Sequence, residues 1–520
     1  MDAPVNLSLL EQQRVERRGD EPSVFFADRW TGSAARLAAG MRIAAVLRGA
    51  GVRAGDRVLV LSSNRPEVLE TLSAIWRLGA VAVPMTTGSR AAEVQRVVDA
   101  TQPRVLVADG SGRDATQPVS AEHGLPRLCF DGGQEVVDLS ACAATADGIE
   151  SPVDSTADDL AAILFTGGTT GRSKGVMLTH GNLWWAGRSR MQLWSDDPAE
   201  CSLMPLPLSH VYGLLLHVCD LHWPGPRRQV LMRRFSLPDT IAAIEQHAVE
   251  ETTLVPAAIE ALLASQEEPE RLRSLRYLAS GSSALSTISQ DEFRQRFPWV
   301  DLRLGYGMTE ATGLISGTPR FGWRRGSVGR PVPGCEVRIV DEVGADVGTS
   351  RRGEIVCRSP FVTPGYWPAP GEEPAVMPVT QEWLRTGDLG HLDEDGYLFI
   401  TGRLKDVIIR GGFNVYPHDV EAALTELPGI TAAAVVGCPD PVRGEEVVAF
   451  YIATEGCAVA ADEVEAFARG RVAGYKRPSL FVPVGAFPLT RLGKLDRKAL
   501  SRRAGELIAA GDSGDDGATG

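Results

Sequence analysis

Apolar positions along the chain change their period several times, and these changes mark out its elements. RVLVLSS (57–63) is a short apolar run, PEVLETLSAIWRL (66–78) sets Val68, Leu69, Leu72, Ile75 and Trp76 on one helical face, and AVAVP (80–84) is a second apolar run. Short apolar runs bounded by turn residues predict buried strands, and apolar residues three and four apart predict an amphipathic helix. VLVAD (105–109) continues the rhythm. Strands alternating with such helices imply crossover connections, hence a parallel sheet covered on both faces. The stretch 110–157 is turn-rich and acidic and reads as a surface excursion. An apolar run, Leu160 to Phe165, then predicts another buried strand, and GVMLTHGNLWWAGRSRM (175–191) a strand and helix. In that helix Trp184 and Trp185 read as core aromatics in preference to the walls of a tunnel.

Farther on, MPLPLSHVYGLLLHVCDLHWPG (204–225) has two prolines before His210 and then an apolar helix, which puts His210 near a helix N-terminus. LRYLAS (275–280) predicts a strand, Gly281 to Ser283 a turn, and the chain next forms a helix through Phe293 and a strand entering LGYGMTE (304–310). From Gly326 to Ile400 the pattern changes to short Val, Ile and Gly-rich hairpins. GRLKDVIIRGGFNVYP (402–417) marks a change of domain, so the expected division is 1–402, 403–505 and a disordered acidic tail, 506–520.

Composition narrows the function classes. With 520 residues, a formal charge of -13 and 44% hydrophobic residues, the chain is a large multidomain globular protein with core enough for an enzyme. The acidic balance disfavours nucleic acid as a partner. Its 8 cysteines are scattered singly without a CxxC pair, which suggests free thiols in place of zinc or disulfides. His217 and His222 lack a second ligand cluster and read as ordinary histidines. No apolar run reaches the roughly 18 residues of a membrane span. Asp2, Glu11 and Glu16 do not form a signal pattern, so the expected location is cytoplasmic, as monomer or homodimer.

The chemistry concentrates in TGGTTGRSKG (166–175), which follows the Leu160 to Phe165 run. Glycines let backbone N–H groups converge, threonine hydroxyls add uncharged donors, and Arg172 and Lys174 sit where a polyanion would arrive. The Walker A pattern fails, because Lys174 follows Ser173 and precedes Gly175. The loop resembles the signature of the adenylate-forming superfamily, which comprises acyl- and aryl-CoA ligases, peptide-synthetase adenylation domains and beetle luciferases. Gly167 and Ser173 depart from the usual TSGTTGxPKG form, and the TGGTTG variant occurs among fatty-acyl-CoA ligases. PLSHVYG, the GSS turn, GYGMTE, WLRTGDLG, GRLKD and PLTRLGKLDRK follow in the superfamily's motif order, and the resemblance spans about residues 20 to 505.

That resemblance implies an α/β fold: a large N-terminal domain of parallel α/β subdomains plus a distorted β-barrel, with a small mobile α+β C-terminal lid. It also implies ATP and Mg2+ as cofactors and CoA, or carrier-protein phosphopantetheine, as acyl acceptor. Thr166, Gly167, Gly168, Thr169, Thr170 and Lys174 would hold phosphate, and His210 would lie beside the carboxylate substrate. The turn Gly281, Ser282, Ser283 would flank adenine, with Tyr306, Gly307 and Met308 stacking or lining the base, Thr309 touching phosphate and Glu310 holding the metal. Ser282 and Ser283 replace the usual alanine and proline. Asp388 and Arg403 would bind ribose, Lys405 would be the hinge, Gly411 and Gly412 would line the thiol channel, and Lys494 would be the catalytic lysine. Tyr475, Lys476 and Arg477 are candidates for the CoA side. The acyl pocket would be lined by His210, Tyr212, Leu216 and Asp220 with Leu304, Gly305 and Leu314. Catalytic roles would fall to Lys494, His210, Thr166 and Lys174.

Val211 stands where amino-acid-activating domains place their amine-binding aspartate, which disfavours ordinary α-amino acids. Asp220 on an apolar helix needs a partner. That partner is either a nearby arginine or an amino or hydroxyl group of the substrate. The leading expectation is therefore a fatty, or otherwise mostly apolar, carboxylic acid:CoA ligase. The alternative is a stand-alone enzyme loading a β-amino, hydroxy or aryl acid onto a carrier protein. Luciferase-like oxidation of the adenylate and a nucleotide-binding regulator without turnover are two further readings.

Overall fold

The computed structural model describes residues 6–132, 136–166, 174–194, 197–368, 375–376, 379–380, 383–454, 456–490 and 495–512. They fall into two compact units, Met1–Val337 with Cys357–Leu384, and Arg338–Val356 with Arg385–Gly520. The first unit holds two nine-stranded sheets. In one of them Leu160–Thr166, Val81–Met85, Arg57–Leu61, Val105–Ala108, Arg127–Cys129 and Val137–Asp138 are successive parallel neighbours, and Lys174–Thr179 pairs antiparallel with Leu160–Thr166. The expected helix runs Pro66–Arg77 with proline at its start. Leu69, Leu72, Ile75 and Trp76 are buried, and each such side chain contributes about 1.5–3 kcal/mol by leaving water.

The segment 110–157 is no surface excursion. It carries the helices Arg113–His123 and Leu139–Thr145 and two strands that extend the sheet in parallel register, Leu106 opposite Arg127 and Leu128 opposite Val137. Those strands are too short to establish a period, and Pro118 inside the first helix interrupts the helical pattern.

The other sheet of this unit has Asp301–Tyr306, Tyr277–Ser280, Glu251–Leu254, Cys201–Met204, Arg228–Leu231 and Pro22–Phe26 as parallel neighbours. In the helix Val211–Leu221 every residue is buried, as expected of a helix apolar on nearly all sides. Trp184 is buried in the same core, and Trp185 packs partly buried against it with the rings edge to face at 4.7 Å. They are core aromatics.

The hairpin-rich stretch forms a five-stranded sheet in which Glu336–Val340, Gly353–Arg358, Trp383–Leu392 and Val379–Thr380 are neighbours and Leu398–Arg403 pairs with Trp383–Leu392. In the second unit Phe413–Val415, Ile408–Arg410, Gly444–Ala453 and Ile430–Asp440 form an antiparallel sheet, and Leu480–Pro483 joins it in parallel. The last helix, Arg497–Asp512, continues past residue 506 into the stretch expected to be disordered. Leu500, Ala504 and Ile508 recur at helical spacing and pack on the sheet, which explains the continuation; 513–520 lie outside the described residues. No helix among the described residues is long and apolar enough to cross a membrane, and all eight cysteines are free thiols.

Candidate functional site

The Gly/Thr-rich loop sits at the tip of an antiparallel pair. Thr166 and Lys174 end the two strands directly opposite each other, with the Thr166 hydroxyl donating to the Lys174 carbonyl at 3.5 Å. Residues 167–173, which include Gly167, Gly168, Thr169, Thr170 and Arg172, lie outside the described residues. The exposed Lys174 ammonium stands 4.6 Å from the centre of the Tyr366 ring, a cation–π distance. Tyr366 lies on the strand Gly365–Tyr366, which pairs with Val176, and its hydroxyl donates to Glu310 Oε1 at 2.9 Å. Burial, together with the Glu310 carboxylate, raises the Tyr366 pKa, so the phenol stays a proton donor. Thr363 N–H donates to the Glu310 carbonyl at 2.8 Å and holds that residue's backbone.

The loop cation and the acidic residue of GYGMTE thus share one tyrosine. The sequence reading passed over Tyr366; an aromatic directly after glycine in TPGYW was the available signal.

GYGMTE is shaped by close backbone approach. A Cβ on Gly307 would lie 1.9 Å from the Gly313 carbonyl, so no other residue fits. Thr309 and Glu310 follow in a single 3-10 turn, Thr309–Ala311, with Met308 just before it. A Cβ on Gly281 would come within 3.0 Å of the Gly305 carbonyl and 3.3 Å of Tyr212 Cε1, and one on Gly305 within 2.8 Å of Leu314 Cδ1. Gly281, Gly305, Leu314 and Tyr212 are therefore brought together, with Leu304 buried on the same strand as Gly305. Ser282, between Gly281 and Ser283, has φ +77°, a left-handed conformation costly for a side chain other than glycine. Tyr306 ends the Asp301–Tyr306 strand and is half-buried. His210 caps the helix Val211–Leu221, its Nδ1 accepting from Tyr212 N–H at 3.2 Å. In the neutral ring this leaves the proton on Nε2, the other nitrogen.

Leu216 and Asp220 lie deeper along that helix. The Asp220 carboxylate accepts from Arg227 Nε at 3.0 Å and from Gln229 Nε2 at 2.5 Å. Arg227 also pairs with Glu251 at 2.9 Å, and Arg190 reaches Glu251 at 3.1 Å. Burial pushes the Glu251 carboxyl up, but Arg227 and Arg190 outweigh it and hold the pKa down at about 2. Asp220 finds its partner in an arginine of the chain, the simpler of the two expectations. Leu216, Asp220, Arg227, Gln229 and Glu251 border a cavity of about 10 Å³, room for one water.

In the second unit Asp388 and Arg403 face each other across two strands, and Arg403 Nε meets Asp388 Oδ1 at 3.0 Å. Asp388 is buried, whereas the Arg403 side chain is 49% exposed. Lys405 follows in the turn Leu404–Asp406, its pKa lowered by burial and by Arg403. Gly411 and Gly412 have φ +57° and +82° and join Ile408–Arg410 to Phe413–Val415. Such a two-residue hairpin turn demands positive φ at both positions. An added Cβ would meet nothing within 4 Å at either, so turn conformation accounts for both glycines within this unit. Tyr475 lies 5.1 Å from the Phe413 ring, and Lys476 pairs with Asp419 at 3.0 Å. Lys494 lies outside the described residues. Among the described residues no group of three or more His, Cys, Asp or Glu could hold a metal ion.

Comparison with known proteins matches this geometry to a family. The AMP-binding enzyme family matches residues 11–367, and the AMP-binding enzyme C-terminal domain matches 419–494. The chain is 33% identical over 461 residues to a 2-succinylbenzoate–CoA ligase of Bacillus velezensis, covering 88% of this chain and 90% of the relative. It is 33% identical over 487 residues to 4-coumarate–CoA ligase 3 of Oryza sativa subsp. japonica, covering 91% and 86%. Among solved structures, ATP-bound MatB from Rhodopseudomonas palustris superimposes with a TM-score of 0.86 at 30% identity, over 96% of this chain and 99% of that one. The o-succinylbenzoate CoA synthetase of Bacillus subtilis, in complex with its acyl-adenylate intermediate, gives 0.82 at 28% identity, over 96% and 98%. On the extent of these matches, the chain belongs to the AMP-binding enzyme family, the adenylate-forming superfamily that its motifs resemble.

Proposed function

We propose that this protein is an AMP-forming acid–thiol ligase, which activates a carboxylic acid with ATP and passes the acyl group to the thiol of CoA. The observation that carries the reading is the convergence of Lys174, Tyr366 and Glu310 at the base of the TGGTTGRSKG loop, in a chain similar to ligases named for that chemistry. The acid's carboxylate oxygen attacks the α-phosphorus, the bond to the β-phosphate oxygen breaks, and pyrophosphate leaves with the electron pair. Such a transfer is driven by positioning and by donors set in advance around the developing charge. Lys174, Thr166 and the loop residues Gly167, Gly168, Thr169 and Thr170 hold the leaving phosphates, and His210 positions the carboxylate. Tyr306 and the turn Gly281, Ser282, Ser283 hold adenine, with Gly307 and Met308 beside it and Thr309 at phosphate. Asp388, aimed by Arg403, accepts from the ribose hydroxyls.

Mg2+ fits this site as an ion carried by the nucleotide, since it is commonly held by one or two carboxylates plus substrate phosphates. Glu310 is a carboxylate already oriented by Tyr366. The ion would neutralise phosphate charge.

In the same reading, residues 1–402 form the adenylation domain, within which the five-stranded sheet corresponds to a distorted barrel, and 403–505 form a lid that turns about Lys405. Lys494 bridges the carboxylate and α-phosphate during adenylation and then withdraws. The CoA sulfur next attacks the acyl carbonyl and AMP departs, with Gly411 and Gly412 lining the path and Tyr475 to Arg477 on the CoA side. Free thiols suit a reducing cytoplasm. The ion pairing of Asp220 with Arg227 removes the residue on which recognition of a β-amino or hydroxy acid rested, so CoA ligation is favoured over carrier loading.

The test is acid-dependent pyrophosphate release across a panel of aliphatic and aromatic acids, followed by trapping of acyl-CoA in competition with a phosphopantetheinylated carrier. Release with one or more acids and an acyl-CoA product is expected. A panel without release, or acyl transfer to the carrier alone, would refute the reading.

A further inference from the structure

We propose that the acyl pocket ends at Tyr212 against a buried ionic plug, and that the enzyme activates compact acids, short-chain or single-ring, in preference to long-chain fatty acids. The inference rests on the proposed function and narrows its substrate class. The Tyr212 ring closes on the Gly281 turn, approaching within 3.3 Å of where a Cβ on Gly281 would sit. Arg190 and Glu251 are charged neighbours of that side chain, and with Arg227 and Asp220 they form a buried ionic network with side-chain exposures of 1%, 7%, 3% and 11% in that order. At 1.5 Å of rise per residue, Leu216 stands about 6 Å and Asp220 about 12 Å beyond Tyr212 along the helix.

A long acyl chain following that helix would have to pass Leu216 and lie against the Asp220 carboxylate and two guanidiniums. The cavity there has room for about one water, too little for a long methylene chain. Widening it would part buried ion pairs and strand a charge, which interiors strongly resist. A ring or short chain that stops at the Tyr212 phenol meets neither obstacle.

The experiment measures kcat/KM for acid-dependent pyrophosphate release over straight-chain acids of two to sixteen carbons and substituted benzoates and cinnamates. Pocket discrimination runs to about 10–200-fold per methylene-sized misfit, so the compact acids should exceed the twelve- and sixteen-carbon acids by about 100-fold or more. Tyr212→Ala should reduce that ratio about 10-fold, chiefly through the KM of the longer acids. The double substitution Asp220→Leu with Arg227→Met replaces both partners by apolar groups. It should reduce the ratio further in the Tyr212→Ala background and leave it unchanged where Tyr212 is intact. Thermal melts monitor folding, and Tyr212→Leu supplies the same readout with less volume removed.

Highest kcat/KM on twelve- to sixteen-carbon acids, or a length ratio unmoved by both Tyr212 substitutions, would overturn the plug while leaving acid activation intact. No release with any acid would remove the proposed function, and this inference with it.

Discussion

Two charged clusters in the first unit are built on opposite plans. In the interior, Arg190, Arg227, Glu251 and Asp220 direct their charges at one another, with Gln229 taking the remaining Asp220 oxygen. Near the loop, among the described residues, Lys174 faces the Tyr366 ring and Glu310 accepts the Tyr366 phenol hydrogen bond. The first arrangement uses its charge internally and sustains a shape. The second keeps hydrogen-bonding capacity in reserve, which is what a site needs if its partner arrives from solution. Glu70 marks a third condition: it is buried, and burial pushes its pKa up to about 7. Burial alone therefore does not reveal a carboxylate's role; the direction of its neighbours' charges does.

The contrast is broken most directly at Glu251. Glu251→Ala should destabilise the fold by about 3–5 kcal/mol in urea unfolding, because two buried guanidiniums lose their carboxylate; a cost under about 1 kcal/mol would mean that water already shares that cluster. Its folded pKa lies below the ordinary value, so the stabilisation is complete above about pH 4.5 and is lost as pH falls toward 2.

Next in size is Lys494→Ala, expected to slow adenylation 100-fold or more, about 2.7–4 kcal/mol, while thioester formation from supplied acyl-adenylate largely persists. Equal losses in both half-reactions would reject the assigned role. Tyr366→Phe keeps the ring under Lys174 and removes the donor to Glu310. We expect about a 10-fold loss in kcat/KM for pyrophosphate release, of the order of one hydrogen bond to a charged group. Unfolding should be little changed and a higher Mg2+ concentration should be required. An unaltered Mg2+ requirement would detach Tyr366 from the site.

The smallest effect belongs to Glu70→Gln. The native carboxyl has a folded pKa above its unfolded value, so stability falls as pH rises from about 4.5 to 7 and levels off beyond. The variant should lack that slope. The same slope in both proteins would show that Glu70 is not its source.

Much of the fold was legible wherever apolar runs were long enough to show a period, as in the Pro66–Arg77 helix and the Leu160–Thr166 strand. It failed over 110–157, where strands of two or three residues give no period and a proline interrupts a helix. In the candidate site, motif order pointed to Thr166, Lys174, Glu310, Asp388 and Arg403, but it overlooked Tyr366, which is remote in sequence from both residues it joins.

Local sequence by itself determined the elements and the chemistry available: the Gly/Thr-rich loop, the positive-φ glycines of the Gly411–Gly412 turn, and the apolar helix after His210. Tertiary structure alone decided which charges meet. Asp220 was ambiguous between chain and substrate until folding set Arg227 3.0 Å away, and Tyr366 acquired significance only when its strand paired with the one that begins at Lys174. Backbone preference acts over a few residues and can be read from composition and period. Electrostatic partnership depends on distance in space, which the order of residues along a chain does not state.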